Sequence, residues 1–182
     1  MGKAKEILVP TLALTVIAVL VAVLLAVTYN ATGVGNIQPG LSDEECVEYA
    51  SAVIPDAQKL IKADYQSGEA DLLGVYQDEG KIGVALHIQT VGYAGKSSPI
   101  EALIGFDKEG AVTGIVIVSC PETPGLGTRI EDAEYLKNYT GVSGSADGVD
   151  TITGATISST ALKAGVNFAM EQFEAVKGEV LA

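Results

Sequence analysis

No other stretch of the sequence combines hydroxyl groups, small residues and a following helical pattern as densely as residues 150–160, DTITGATISST. Gly154 and Ala155 leave the backbone uncrowded where a helix is expected to begin, and the amides that open a helix can face an anion. The hydroxyl groups suffice to cap that helix, bond phosphate oxygens and leave one for esterification. Five of them lie within residues 153–160 and belong to Thr153, Thr156, Ser158, Ser159 and Thr160. The pattern indicates phosphate chemistry, but it is also typical of a capped helix that binds no ligand.

A second segment of restricted backbone is residues 121–129, PETPGLGTR. Its two prolines and two glycines exclude both helix and sheet ladder, so a stiff loop presents its amides and the carboxylate of Glu122. From composition alone, this loop is a rigid connection between a strand and a helix.

Both segments resemble the covalent FMN-binding domain family. The flavinylation motif of that family ends in a Thr or Ser that carries FMN through a phosphoester, and its pattern is matched here by Asp150, Thr153, Gly154, Ala155 and Thr156. Residues 122–127, ETPGLG, resemble the second characteristic segment of the family, and residues 92–95, GYAG, resemble its Gly-Tyr-Gly-Gly turn less closely. The resemblance implies FMN as the cofactor, bound covalently to Thr156. It also implies a separate flavin transferase that uses FAD and magnesium to make the bond.

The resemblance implies a role for each residue of the two segments. Thr156 carries the phosphoester, while the phosphate is held near a helix N-terminus by Thr153, Gly154, Ala155, Ser158 and Ser159. Asp150 helps the transferase and its magnesium recognise the motif, or fixes the turn. The second loop is expected near the flavin ring or at a docking surface, and its residues are Glu122, Thr123, Pro124, Gly125 and Leu126. No residue of this chain is expected to be catalytic.

The order of these segments along the chain resembles the G subunits of Rnf complexes, which are membrane-bound ion-translocating ferredoxin:NAD oxidoreductases. The C subunits of the sodium-translocating NADH:quinone reductase share the FMN domain but are typically longer, so size favours the Rnf assignment. The implied function is to relay single electrons, and the implied partners are the other membrane, iron-sulfur and flavin subunits of that complex. The alternative from another class is a membrane-anchored scaffold whose hydroxyl cluster only caps a helix. A flavoenzyme with its own small substrate would require a further catalytic domain.

Residues 7–27 carry no charge, and this length spans a hydrocarbon core of about 30 Å. A cleaved signal peptide is the competing interpretation, but the run exceeds the usual apolar core of roughly 7 to 15 residues. Lys3 and Lys5 precede the run and the next basic residue is Lys59, so the positive-inside rule places residues 1–6 in the cytoplasm. The sequence therefore predicts a transmembrane helix over 7–27, a linker over 28–41 and an extracytoplasmic FMN-binding domain over 42–182. The expected location is the cell (inner) membrane.

The part of the chain outside the membrane is strongly acidic. Without residues 1–27, which hold two Lys and one Glu, the formal net charge falls from −12 to −13. This charge argues against nucleic acid as a partner, and it disfavours a reduced, anionic flavin unless amides or a cation offset it. Arg129 and Lys163 are the nearby candidates in the sequence. A metal site is not expected because there is one His and no CxxC spacing, whereas pairing of Cys46 with Cys120 stays open.

The pattern along the chain predicts an α+β fold, with a mainly antiparallel sheet packed with helices behind the N-terminal transmembrane helix. Ser42 and Glu45 form a capping box that opens a helix over 42–53, with Val47, Ala50 and Ile54 facing inward. Residues 56–63 are too polar to assign. Further helices are predicted over 130–138 and from residue 158 onward.

Four predicted strands joined by short turns favour the antiparallel arrangement. They cover residues 72–77, 81–91, 99–106 and 111–119. In the second strand Ile82, Val84, Leu86 and Ile88 share one face, and His87 lies on the other as a surface or satisfied side chain. The last strand, AVTGIVIVS, is apolar on both faces and is therefore expected at the centre of the sheet.

Overall fold

The computed structural model of the chain describes residues 2–32, 40–65 and 67–181. Two compact units are present, Met1–Gln38 and Pro39–Ala182. Residues 33–39, which are half of the predicted linker over 28–41, lie outside the described residues.

The first unit contains one helix, α1 (Gly2–Thr32), which runs five residues beyond the end of the predicted span. Its stretch Pro10–Thr28 is, within the described part of the chain, the one helical stretch whose length and composition suit a membrane crossing. The hydroxyls of Thr15 and Thr28 donate to the carbonyl oxygens of Thr11 and Leu24, at 2.9 and 2.8 Å. These bonds satisfy two hydroxyls of the apolar stretch within the helix itself.

The second unit is built on a five-stranded antiparallel sheet in which the strands are neighbours in chain order. Its strands are β1 (Leu60–Lys62), β2 (Leu72–Asp78), β3 (Gly83–Thr90), β4 (Ile100–Asp107) and β5 (Val112–Ser119). The turn between β2 and β3 is fixed by Asp78, whose carboxylate accepts hydrogen bonds from the amides of Gly80, Ile82 and Gly83. The predicted antiparallel α+β architecture is confirmed.

Helices cover both faces of this sheet. The long helix α5 (Thr156–Val180) packs against β3 and β4, and its Phe173 lies 5.1 Å from the ring of Phe106. The opposite face is covered by the short helices α2 (Asp43–Glu48) and α3 (Ala50–Val53), with α3 against β4 and β5. Between β5 and α5 the chain forms two 3-10 turns, Gly127–Glu131 and Lys137–Tyr139, around α4 (Ala133–Leu136).

Several sequence predictions about single residues need correction. The capping box of Ser42 and Glu45 is present, but the helix it opens breaks at Tyr49, and Val47 is exposed while Ala50 and Ile54 are buried. Residues 56–63, left unassigned, contain β1. Ile82 precedes β3 and is exposed, whereas Val84, Leu86 and Ile88 are buried together as predicted. The predicted helix over 130–138 is divided between α4 and its two flanking turns.

The expected central position of β5 is wrong, because this strand forms an edge of the sheet. It is apolar on both faces because both are covered: α3 lies on one, and Tyr139, Ala146 and Val149 pack with Val112 on the other. The edge itself is shielded as well, since Val112 exchanges backbone hydrogen bonds with residues 141 and 142 at 2.8 and 2.9 Å. Coverage by loops, and not only by strands, explains the apolar pattern.

The two cysteines are free thiols on different sides of the sheet. Cys46 is buried in the core under α2 and α3, whereas Cys120 packs at the edge of the core under α5. Burial raises the pKa of both thiols above the usual cysteine range. The pairing that the sequence left open is therefore not made in this structure.

His87 is buried on the face of β3 opposite α5, with 1% of its surface exposed. Among the described residues neither ring nitrogen has a hydrogen-bond partner, although Nε2 lies 3.3 Å from Oε2 of Glu101 outside hydrogen-bonding alignment. Burial lowers the pKa of His87 to about 4; Glu45 opposes this shift and Lys62 adds to it. The histidine is neutral at pH 7, and its expected position on the surface or beside a satisfying partner is not found.

We expect the stability of the domain to fall in acid because of His87. The unfolded side chain titrates near pH 6.5 and the folded one near 4, so a contribution of about 3 kcal/mol is fully present above pH 6.5 and lost as the pH falls to 4. Burial raises the pKa of Glu101 above its usual value. Protonation of this carboxyl group therefore stabilises the domain as the pH falls, which offsets part of the loss from His87.

The measurement is urea unfolding of the detergent-solubilised chain at pH 7, 5.5 and 4, followed by tyrosine fluorescence. His87→Leu removes the one histidine of the sequence and should flatten the profile. Parallel pH profiles for the two proteins would contradict the assignment.

Candidate functional site

Three loops and the first turn of α5 line a half-open cavity of about 450 Å³. Each loop contains one of the segments that the sequence singled out: residues 92–95, 122–127 and 150–160. The wall is formed by Tyr93, Glu122, Thr123, Leu126, Gly127, Gly154, Ala155, Thr156, Ile157 and Ser158. Segments that are far apart in the sequence thus meet at one place.

Glu122 joins the three parts of the wall. Its side chain is 4% exposed, accepts a hydrogen bond from the amide of Ala94 at 3.1 Å through Oε1, and accepts another from the hydroxyl of Ser158 through Oε2. A Cβ at Gly92 would overlap Oε1, so the approach of this carboxylate requires glycine there. The buried carboxylate therefore fixes both the glycine-rich turn and the loop against the start of α5.

The first turn of α5 opens toward the cavity without a side-chain cap. The residue that precedes the helix is Ala155, which has no polar side chain, so the helix does not satisfy its own first amides in this way. Thr156 and Ile157 are exposed on this turn, and both line the cavity. Uncapped amides and the positive end of the helix dipole attract an anion, and the Thr156 hydroxyl lies on the same turn.

Ser159 has a structural place in the turn. It is fully buried, accepts a hydrogen bond from the amide of Ile152 at 3.1 Å and donates to the carbonyl oxygen of Ala155 at 2.8 Å. It does not line the cavity, and its hydroxyl shapes the bend that leads into α5. Of the two predicted serines, only Ser158 faces the cavity, and its hydroxyl is bonded to Glu122.

Arg129 holds the loop that precedes Thr156. Its Nη1 donates to the carbonyl oxygen of Thr153 at 3.0 Å, while its side chain is exposed. Gly154 lies in the wall, and the side chain of Thr153 is exposed outside it. The arginine thus brings one cation to the backbone three residues before Thr156, whereas the other candidate, Lys163, donates to the carbonyl oxygen of Asp147 at 3.3 Å.

Asp150 lies apart from the main cavity. It is exposed and lines a second cavity of about 350 Å³ together with Asn138, Val142, Ser145, Gly148 and Val149. The first and last residues of the predicted motif therefore border different cavities. Pro124 and Gly125 are exposed and line neither, whereas Thr123 and Leu126 from the same loop line the first.

Exposed apolar side chains surround the cavity. Tyr93, Ile157 and Leu126 are 68%, 57% and 49% exposed, and all three are part of its wall. Tyr93 and Ile157 were not among the predicted site residues. The sequence did offer a sign that Ile157 belongs to the site. It is an apolar residue at the second position of a helix, next to the candidate attachment residue.

The arrangement suits a ligand with an anionic end and a flat aromatic part. The anion would lie at the uncapped start of α5, and the aromatic part would contact the apolar side chains. Within residues 2–32, 40–65 and 67–181, no group of three His, Cys, Asp or Glu side chains is placed to hold a metal ion.

One part of the chain matches the model of a known protein family. Residues 95–171 match the model of the FMN-binding domain, a range that contains the second loop, the predicted attachment motif and the first 16 residues of α5. The chain is also similar to crystallised NqrC from Shewanella oneidensis, with 18% identity, a TM-score of 0.44 and coverage of 79% of each chain.

Relatives that share sequence over longer ranges are components of redox complexes. The G subunit of the Na(+)-translocating ferredoxin:NAD(+) oxidoreductase complex from Acetobacterium woodii is 26% identical, over 71% of this chain and 69% of its own length. The G subunit of the ion-translocating oxidoreductase complex from Methanosarcina acetivorans is 28% identical over 98% and 100%. The corresponding protein from Shewanella piezotolerans is 34% identical over 55% and 54%, so the chain spans about half of that relative.

Proposed function

We infer that this chain is the membrane-anchored, FMN-carrying electron-transfer subunit of an ion-translocating ferredoxin:NAD oxidoreductase complex of the Rnf type. Residues 95–171, which match the FMN-binding domain, would hold the cofactor. The observation that carries this proposal is the meeting of both family segments, with Thr156 exposed, at one cavity inside the matched range. Similarity to G subunits supports the choice of complex.

The residues of the cavity fit FMN at both ends of the molecule. The phosphate finds the uncapped start of α5 and the exposed hydroxyl of Thr156, which would carry it as a phosphoester. Formation of that ester joins Oγ1 of Thr156 to the phosphorus of the FMN half of FAD, breaks the pyrophosphate bond and releases AMP together with the hydroxyl proton. The family resemblance implies that a flavin transferase with magnesium catalyses this step. The apolar side chains of Tyr93, Leu126 and Ile157 suit the flavin ring.

Asp150 has a separate role in this proposal. It borders the second cavity, where a transferase that approaches Thr156 could read it without entering the space of the flavin ring. We assign Asp150 to recognition by the transferase and its magnesium. Gly154 and Ala155 keep the approach to Thr156 uncrowded, and Arg129 holds the backbone of Thr153.

Bound FMN supplies the ability to accept and donate electrons one at a time. The protein supplies attachment, orientation and electrostatic environment. A covalent bond prevents loss of the cofactor outside the cytoplasm, where the stretch Pro10–Thr28 and the lysines that precede it would place the domain. Electrons would pass between this subunit and the iron-sulfur and flavin subunits of the complex, and the acidic surface makes nucleic acid an unsuitable partner.

The test is expression of the full chain with its flavin transferase in the native membrane. We expect a mass increase of one FMN less one water, and yellow fluorescence of the band after denaturing electrophoresis. A chain without covalent flavin would contradict attachment. Copurification with subunits of a quinone reductase, in place of ferredoxin:NAD oxidoreductase subunits, would contradict the assignment of the complex.

A further inference from the structure

Glu122 places a buried carboxylate in the wall of the cavity. Its only hydrogen bonds within the described part of the chain come from the amide of Ala94 and the hydroxyl of Ser158, both neutral donors. None of the salt bridges between described residues includes it. The carboxyl group is therefore held in place by neutral donors, without a cationic partner among the described residues.

The two cations that the sequence suggested near the attachment motif serve other groups. Arg129 donates to the carbonyl oxygen of Thr153, and Lys163 donates to that of Asp147. Among the residues that line the cavity, Glu122 alone is acidic or basic. A ligand in the cavity would therefore meet this carboxylate.

We propose that Glu122 sets the reduction potential of the flavin, in addition to holding the loops together. This inference rests on the proposed function, since it requires FMN on Thr156. Each electron taken up adds one negative charge to the flavin unless a proton follows. A fixed carboxylate beside the ring disfavours that added charge, and the effect is strong because the buried side chain is poorly screened by water. Glu122 therefore lowers the potential.

Glu122→Gln tests the charge with little change of shape. The amide oxygen can still accept from Ala94, and the hydroxyl of Ser158 can rotate to accept from the new amide nitrogen. We expect the potential of the covalent flavin to rise by an amount that corresponds to at least a tenfold change in the ratio of reduced to oxidised flavin, which is 59 mV for one electron. The measurement is a spectroscopic redox titration of the full chain in detergent.

Ser158→Ala provides a second variant with the opposite expected sign. Loss of its hydroxyl removes one of the two donors that offset the carboxylate, so the potential should fall. If Glu122 only held the loops together, there would be no reason for the flavin potential to rise in Glu122→Gln and fall in Ser158→Ala. This variant also decides the matter if Glu122→Gln does not fold or does not accept flavin.

Asp107→Asn is the matched control for the removal of a carboxylate. Asp107 lies at one end of β4, and Ile100 at the other end lies near Gly92 and Glu122. The eight residues of this strand span roughly 25 Å. The flavin of Asp107→Asn should have the same reduction potential as the wild type, because a charge at this distance is screened. Equal potentials for Glu122→Gln and the wild type, or no fall in Ser158→Ala, overturn this proposal alone. A wild-type chain without flavin overturns the proposed function together with it.

Discussion

Thr156→Val is expected to abolish covalent flavin in the full chain expressed with its transferase. Valine keeps the size and branching of the side chain but removes the hydroxyl that would form the ester. Because Thr156 is exposed and makes no side-chain hydrogen bond that the structure shows, the domain should fold as before. Band fluorescence after denaturing electrophoresis and intact mass should both show complete loss.

Two matched variants sharpen this result. Thr156→Ser keeps a hydroxyl at the same position and should retain flavin. Thr153→Val removes another exposed threonine of the motif, whose contact with Arg129 uses only its backbone, and should retain at least part of the flavin. Flavin that survives Thr156→Val but not Thr153→Val would move the attachment to the other hydroxyl.

The sequence could identify the segments of the site because each is a local pattern. Uncrowded backbone before Thr156, and proline with glycine around Leu126, are properties of neighbouring residues. The contact between Glu122 and Ser158 spans 36 residues and depends on how α5 meets the loop after β5. No local pattern distinguishes Ser158, which faces the cavity, from Ser159, which is turned into the bend.

The same limit explains what was predicted of the fold. The helical spacing of α5 is set by burial on one face, and it was recognised. The apolar alternation of β3 marked the face that packs under α5, although the other face of this strand is buried as well. The edge position of β5 was missed because α3 and the loop around Val142 cover it, and sequence periodicity records burial without recording what does the covering. For His87, a polar type suggested the surface or a satisfying partner, whereas packing around β3 buries it without one.

The contact between α3 and the sheet leads to a prediction of a large loss of stability. A Cβ added at Gly105 would overlap the carbonyl oxygen of Val53, and that oxygen also accepts a hydrogen bond from the hydroxyl of Thr113. Since the obstacle is backbone held from two sides, Gly105→Ala must displace α3 or β4, at a cost of about 3 kcal/mol. The urea midpoint of the detergent-solubilised chain, followed by tyrosine fluorescence, should fall accordingly.

Gly148→Ala is the control for this loss, because an added Cβ there meets no atom within 4 Å and should change the free energy of unfolding by less than about 0.5 kcal/mol. Equal midpoints for the two variants would mean that α3 is not held against the sheet as described.

The flavin provides a second readout. The cavity is built at the start of α5, which packs on the opposite face of the sheet from α3. The folded fraction of Gly105→Ala should therefore still accept flavin on Thr156, so that this variant separates stability of the domain from attachment of the cofactor.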